Sequence, residues 1–191
     1  MKKILLIAAA AIASISAFAQ PKFAHVNMQE LVMLMPEADQ ARKTMQAAST
    51  EAEETFKSMA DEFDAKYQKY QANAANWSAA IREAKEKELN EIQQRIAEIR
   101  EVLAQELNQK QNALMAPISE KAKQVVSDLA KAGGYIYVFD VSTFDYLDEK
   151  QSVDLTPQAR KTLGIPEGRT LESLMLEQQA EAQAAAAKAA E

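Results

Sequence analysis

Residues 52–77 read AEETFKSMADEFDAKYQKYQANAANW, and the spacing of their apolar side chains decides the fold. Ala52, Phe56, Met59, Phe63, Tyr67, Tyr70 and Ala74 follow one another at intervals of 4, 3, 4, 4, 3 and 4. The mean step of about 3.67 is that of one helix face, nearer an eleven-residue repeat than a heptad. After Trp77 a second stripe follows through Leu89, Ile92, Ile96, Ile99, Leu103 and Leu107, then Leu114, Ile118, Ala122, Val125 and Leu129. Between Glu37 and Pro117 there is neither glycine nor proline, in a stretch rich in the strong helix formers Ala, Glu, Lys and Gln. Two long helices are expected, with the reversal at residues 73–77, where Asn73 takes a left-handed closing position and Asn76 caps the next helix. The arms 37–72 and 77–116 match at roughly 54 to 60 Å. They predict an antiparallel hairpin, a coiled-coil arm. Pro117 removes a backbone donor inside the second pattern, so a kink is expected there as the join between arm and body.

Outward from the arm, Lys22–Met28 (KFAHVNM) alternates Phe23, His25 and Asn27 with Ala24, Val26 and Met28, the period of a short strand. Residues 29–35 read as a helical turn ending at Pro36. On the far side, Ala132-Gly133-Gly134 stops the long helix, Tyr135–Val141 (YIYVFDV) reads as a strand and Phe144–Leu147 as another. Thr156-Pro157 opens a short helix that Gly164 ends. Residues 165–191 form an acidic, alanine-rich tail, expected to be disordered or loosely helical. The fold class is thus mainly α with a small β body: a helical hairpin, 37–116, projecting from a small α/β oligomerisation body made of 20–36 and 117–164. That body is too small to bury a comfortable core alone, and its short strands leave unpaired edges. Self-association is the expected remedy, with Phe23, Val26, Ile136, Val138 and Phe139 as the body's candidate residues.

Composition removes most other functions. The 191 residues carry 28 acidic and 22 basic side chains, a net charge of -6, without the clustered cations that a nucleic-acid partner requires. With no cysteine and one histidine, His25, there is no thiolate metal site and no nucleophile–base pair built on Cys and His. All four glycines lie after residue 132, so nothing earlier makes a phosphate-binding loop. No enzyme, cofactor or metal centre is expected, and His25 reads as a satisfied side chain of the body. The charge run 82–88 pairs Arg82 with Glu86 and Glu83 with Lys87, a solvated helix face rather than a catalytic dyad.

The first nineteen residues have the form of a cleavable export signal: Lys2 and Lys3, an apolar run from Ile4 to Ala13, then Ala17-Phe18-Ala19. Cleavage after residue 19 takes the net charge from -6 to -8 by removing those two lysines. The expected location is the periplasm. No later segment is apolar enough for stable membrane insertion, and no cysteine is present to carry a lipid.

The order of these pieces resembles the Skp/OmpH family of periplasmic chaperones over about residues 22–163. The resemblance rests on the KFAHVNM strand, Glu37–Arg42 (EADQAR) opening the hairpin and Ala116–Lys121 (APISEK). It continues with Gly134-Tyr135 leading to Phe139-Asp140, and Val153–Thr156 (VDLT) before the last helix. It implies a homotrimer whose arms enclose a cavity holding unfolded outer-membrane proteins without ATP. Well-known members are strongly basic, whereas this chain is acidic, so lipid or lipopolysaccharide binding is not carried over.

Client contact then falls to Phe56, Met59, Phe63, Tyr67, Tyr70 and Trp77. At helical spacing the first five also fit the seam between the two helices, and Trp77 also fits a staple folded over the turn. The alternative function is a periplasmic coiled-coil adaptor or spacer, which calls for a large β region on both sides of the hairpin.

Overall fold

A computed structural model describes residues 22–189. The export signal at 1–19 lies outside them. The elements are β1 (Phe23–Val26), α1 (Met28–Leu34), α2 (Pro36–Asn73), a 3-10 turn (Ala74–Asn76), α3 (Ala79–Gly133), β2 (Tyr137–Asp140), a second 3-10 turn (Val141–Thr143), β3 (Ser152–Asp154), α4 (Thr156–Thr162) and α5 (Leu171–Ala189). The fold is therefore mainly α, two long helices with a small three-stranded body. The chain groups into two compact units. One joins the described residues up to Leu31 with Ala122–Glu167, and the other joins Val32–Lys121 with the residues from Gly168 onward.

In the first unit the strand order is β2-β1-β3, all parallel, with Phe23 beside Tyr137 and Ser152, and His25 beside Phe139 and Asp154. The period-2 alternation of β1 puts Ala24 and Val26 on the opposite face, and both are buried. Leu31, Ala122, Val126, Leu155, Ala159, Leu163 and Ile165 are the unit's other buried apolar residues. Asn27 starts α1 by accepting the Glu30 amide on its side-chain oxygen at 2.9 Å, and its own amide donates to the Thr156 hydroxyl at 3.0 Å. Thr156 is thus inside α4 with its hydroxyl turned to α1, and Asp154 accepts its amide at 2.8 Å. Glycine ends α3 and α4 by the same device. At Gly134 (φ 68°) the amides of Gly134 and Tyr135 reach the carbonyls of Lys131 and Ala130, and at Gly164 (φ 70°) those of Gly164 and Ile165 reach Lys161 and Arg160.

One expectation fails here. Phe144–Leu147 is not a strand; the second neighbour of β1 is Ser152–Asp154. The chain leaves β2 in a tight turn in which Asp140 accepts the Ser142 amide at 3.1 Å, and Phe144 packs edge-on against Phe139 at 4.9 Å instead of joining a ladder. A further turn, with Asp148 accepting the Lys150 amide at 3.0 Å, brings Ser152 alongside Phe23.

In the second unit α2 begins with Pro36 in its first turn, where a missing amide costs nothing, and with Glu37 and Asp39 at the positive end of the helix dipole. The pairing of α2 with α3 is antiparallel, since partners rise in number on one helix as they fall on the other. Glu37 binds Lys121, the Arg100 guanidinium lies over the Phe56 ring at 5.5 Å, Lys66 binds Glu88 and Tyr70 donates to Glu86.

The reversal differs in detail from its expectation. Asn73 has φ −120°, not a left-handed value, and its side-chain amide donates to the Lys69 carbonyl at 2.8 Å. The 3-10 turn makes the corner without a positive φ, and Ser78 rather than Asn76 caps α3, its hydroxyl accepting the Ile81 amide at 3.4 Å. The pairs Arg82–Glu86 and Glu83–Lys87 are not formed, because Glu86 is taken by Tyr70 across the hairpin and Lys87 lies 3.9 Å from Glu91. Pro117 lies inside α3. The segment expected as a loose tail contains α5, on which Leu174 is only 3% exposed.

Candidate functional site

Two surfaces gather the residues that the sequence singles out. The first is the aromatic stripe of α2. Phe56, Met59, Phe63 and Tyr70 are half-buried, Tyr67 is 42% exposed, and only Leu89 and Ile92 are buried on the facing stretch of α3. The physical reason is geometric: two helices share one seam, and a single facing helix covers only part of each large side chain that projects from it. The rings are nonetheless ordered among themselves. Phe63 and Tyr67 stack at 5.9 Å, and Trp77, half-buried at the reversal, meets Tyr70 edge-on at 6.0 Å.

Polar contacts brace the outer half of this stripe. Glu88 accepts from Lys66 across the hairpin and from Lys85 at 2.7 Å one turn away. The hydrogen bond from Lys66, reinforced by that from Lys85, pulls the Glu88 carboxyl down to about 2. The same contact raises Lys66, and the hydrogen bond to Glu86 raises the Tyr70 phenol. At the other end of the hairpin the hydrogen bond from Lys121 lowers Glu37. There Pro117 lines an apolar groove of about 330 Å³ with Ala41, Thr44, Leu114 and Ile118.

The second surface is the β1 face opposite Ala24 and Val26. It carries Phe23, Tyr137 and Phe139, whose rings lie 5.8 to 6.5 Å from one another, with Phe144 set against Phe139. Tyr137 is 60% exposed, and Ile136 and Tyr146 are also exposed. Of the body residues singled out from the sequence, Phe23 and Phe139 fall in this cluster. Val138 is half-buried on the other face, Ile136 precedes the strand, and Val26 is wholly inside its own unit. His25 lies buried at the cluster's edge, its Nδ1 2.9 Å from the Ser152 hydroxyl and its Nε2 3.9 Å from Asp154.

Sequence reasoning missed Tyr137 and Phe144 on this face. The alternation of aromatics in YIYVFDV was the available signal for Tyr137. It also missed Ala38, Ala41 and Ala48, buried on α2 where small side chains let another element approach. No group of acidic and histidine side chains able to hold a metal occurs among the described residues, and none of the described helices is long and apolar enough to cross a membrane.

No curated protein matches the chain. A family model described as outer membrane protein (OmpH-like) matches residues 22–163, which include β1, both long helices, β2, β3 and α4. With most of its length covered by that match, the chain belongs to the OmpH-like family.

Proposed function

We propose that the chain is an ATP-independent holdase of the periplasm, which keeps unfolded outer-membrane proteins from aggregating by holding them between the arms of a homo-oligomer. In this reading residues 1–19 are the export signal, 37–116 the arm, and 20–36 with 117–164 the body. The number of arms, three, is what the family resemblance implies. The observation that carries the reading is the unfinished burial of the arm's stripe in a member of the OmpH-like family: Phe56, Met59, Phe63, Tyr67, Tyr70 and Trp77 all keep accessible surface.

Holding an unfolded chain calls for many weak contacts, because one tight pocket would select a single sequence and release it slowly. Several arms on one body raise the effective concentration for each further contact. Sequestering apolar segments lowers their free concentration and slows aggregation without any chemical step. A bilayer, which buries more apolar surface than the stripe offers, is then the sink that draws the client away. The aromatic β1 face supports self-association of the body, since a cluster of four rings with exposed edges is the kind of surface that copies of one chain cover.

The test is dilution of a urea-denatured outer-membrane β-barrel protein into buffer with and without the purified chain, followed by turbidity. Suppression at a threefold excess of chain over client is expected. Unchanged turbidity at that ratio overturns the reading.

A further inference from the structure

The α2 stripe repeats one arrangement at an interval of eleven residues. Glu53 precedes Phe56 by three, and Asp64 precedes Tyr67 by three, so each carboxylate shares a helix face with the ring that follows it. Eleven residues make just over three whole turns, which puts both places on nearly the same side of α2. At the first place the chain supplies a cation itself: Arg100 of α3 stands over the Phe56 ring at 5.5 Å. The residue of α3 eleven positions before Arg100 is Leu89, which is apolar and buried.

At the second place Tyr67 is 42% exposed and stacked on Phe63 at 5.9 Å, and Asp64 has no ion pair or hydrogen-bonded partner among the described residues. The neighbouring Lys66 is engaged by Glu62 at 3.5 Å and by Glu88. A ring face beside a carboxylate attracts a cation twice, through the ring's quadrupole and through the charge, and a guanidinium satisfies both by stacking while it donates.

We infer that the Phe63–Tyr67 pair with Asp64 receives a cationic side chain, arginine above all, from the bound polypeptide. The inference rests on the holdase reading and names the class of segment held: unfolded stretches in which basic residues flank apolar ones. The net charge of -6 favours the same class at longer range.

The experiment uses the full chain and two synthetic twenty-residue peptides with the same apolar residues, one spaced by arginines and the other by glutamates. Binding is read by fluorescence anisotropy at low and at moderate salt. The arginine peptide is expected to bind about tenfold more tightly at low salt, with the preference shrinking as salt rises. Asp64→Asn is expected to cut the preference about threefold or more, and Tyr67→Leu, which keeps apolar surface but removes the ring, to cut it similarly. Glu181→Gln on α5 changes net charge by the same amount away from the stripe and is expected to leave it unchanged.

Equal binding of the two peptides, no binding of either, or equal losses in Asp64→Asn and Glu181→Gln overturn the inference. Turbidity is measured on the same preparations and judges the holdase reading separately. Protection without peptide preference keeps that reading and rejects the cation site, and preference without protection rejects the reading while keeping the site.

Discussion

Arg169 donates to the Asp39 carboxylate at 2.6 Å, linking a residue beyond the end of the family match to the first turn of α2. Asp39 is shared: Arg42 binds it as well, and Arg42 also donates to the Met33 carbonyl at 3.0 Å. One carboxylate therefore ties together the end of α1, the start of α2 and the approach to α5. All three side chains are less than a third exposed, so water screens these contacts incompletely. Asp39→Ala removes one partner from each of two guanidinium groups, Arg169 keeping Glu177 at 3.6 Å and Arg42 the Met33 carbonyl, and is expected to lower stability by about 2 kcal/mol, against about 1 kcal/mol for Arg169→Ala. Urea unfolding followed by circular dichroism measures both. An Asp39→Ala loss no larger than that of Arg169→Ala would mean that Asp39 is not the shared node.

The packing of α5 gives a second test of the same region. Leu174 is 3% exposed, whereas Leu176, two residues along, is 60% exposed. Truncating a buried leucine removes its transfer free energy and leaves a cavity, so Leu174→Ala is expected to cost about 2–4 kcal/mol. Leu176→Ala is expected to change stability by less than about 0.5 kcal/mol. Similar urea midpoints for the two variants would show that α5 does not bury its Leu174 face in solution.

Acid sensitivity is expected to localise at Glu88. Its carboxyl is held down to about 2 by the hydrogen bond from Lys66 and then that from Lys85. A depressed carboxyl stabilises the fold above its unfolded-state value and loses that contribution as pH falls through the folded value. The thermal midpoint of the wild-type chain is expected to exceed that of Glu88→Gln at pH 7, with the gap narrowing as pH falls below 4 and vanishing near 2. A gap that stays constant from pH 7 to pH 2 would mean the ion pairs with Lys66 and Lys85 contribute nothing. Because these groups are exposed, raised salt is also expected to narrow the gap.

The long helices were legible because their signal is long. Dozens of residues without glycine and with one apolar stripe leave no other periodic reading, and local propensity agrees with the tertiary pairing. The ends of α3 and α4 were legible at Gly134 and Gly164 for a local reason, since a left-handed cap favours glycine.

β3 was not legible. Three residues, Ser-Val-Asp, are too few to carry a period, and their strand character comes from the free edge of β1. The reversal at Asn73 shows the opposite error, a sound local preference overridden because the 3-10 turn needs no left-handed residue. On the stripe, sequence spacing identified which residues share a face, but how far they stay uncovered depends on the distance and register of α3. Contacts between residues far apart in the chain, such as Arg169 with Asp39, leave no mark in local spacing.

The register of the hairpin fixes how the arm can be shortened without disturbing its base. Because Phe56 lies under Arg100, removing residues 60–96 and closing the gap with a four-residue turn keeps that pair together. It also keeps the Glu37–Lys121 contact at the other end. The deletion removes Phe63, Tyr67, Tyr70 and Trp77 while sparing every residue of β1, β2 and β3. If the stripe does the holding and the body does the assembling, the shortened chain is expected to keep the oligomeric mass of the full chain in light scattering. Its protection of the denatured β-barrel protein is expected to fall at least tenfold in the molar excess required. Full protection by the shortened chain would move the holding surface to the body, and loss of the oligomer would mean that the outer arm takes part in assembly.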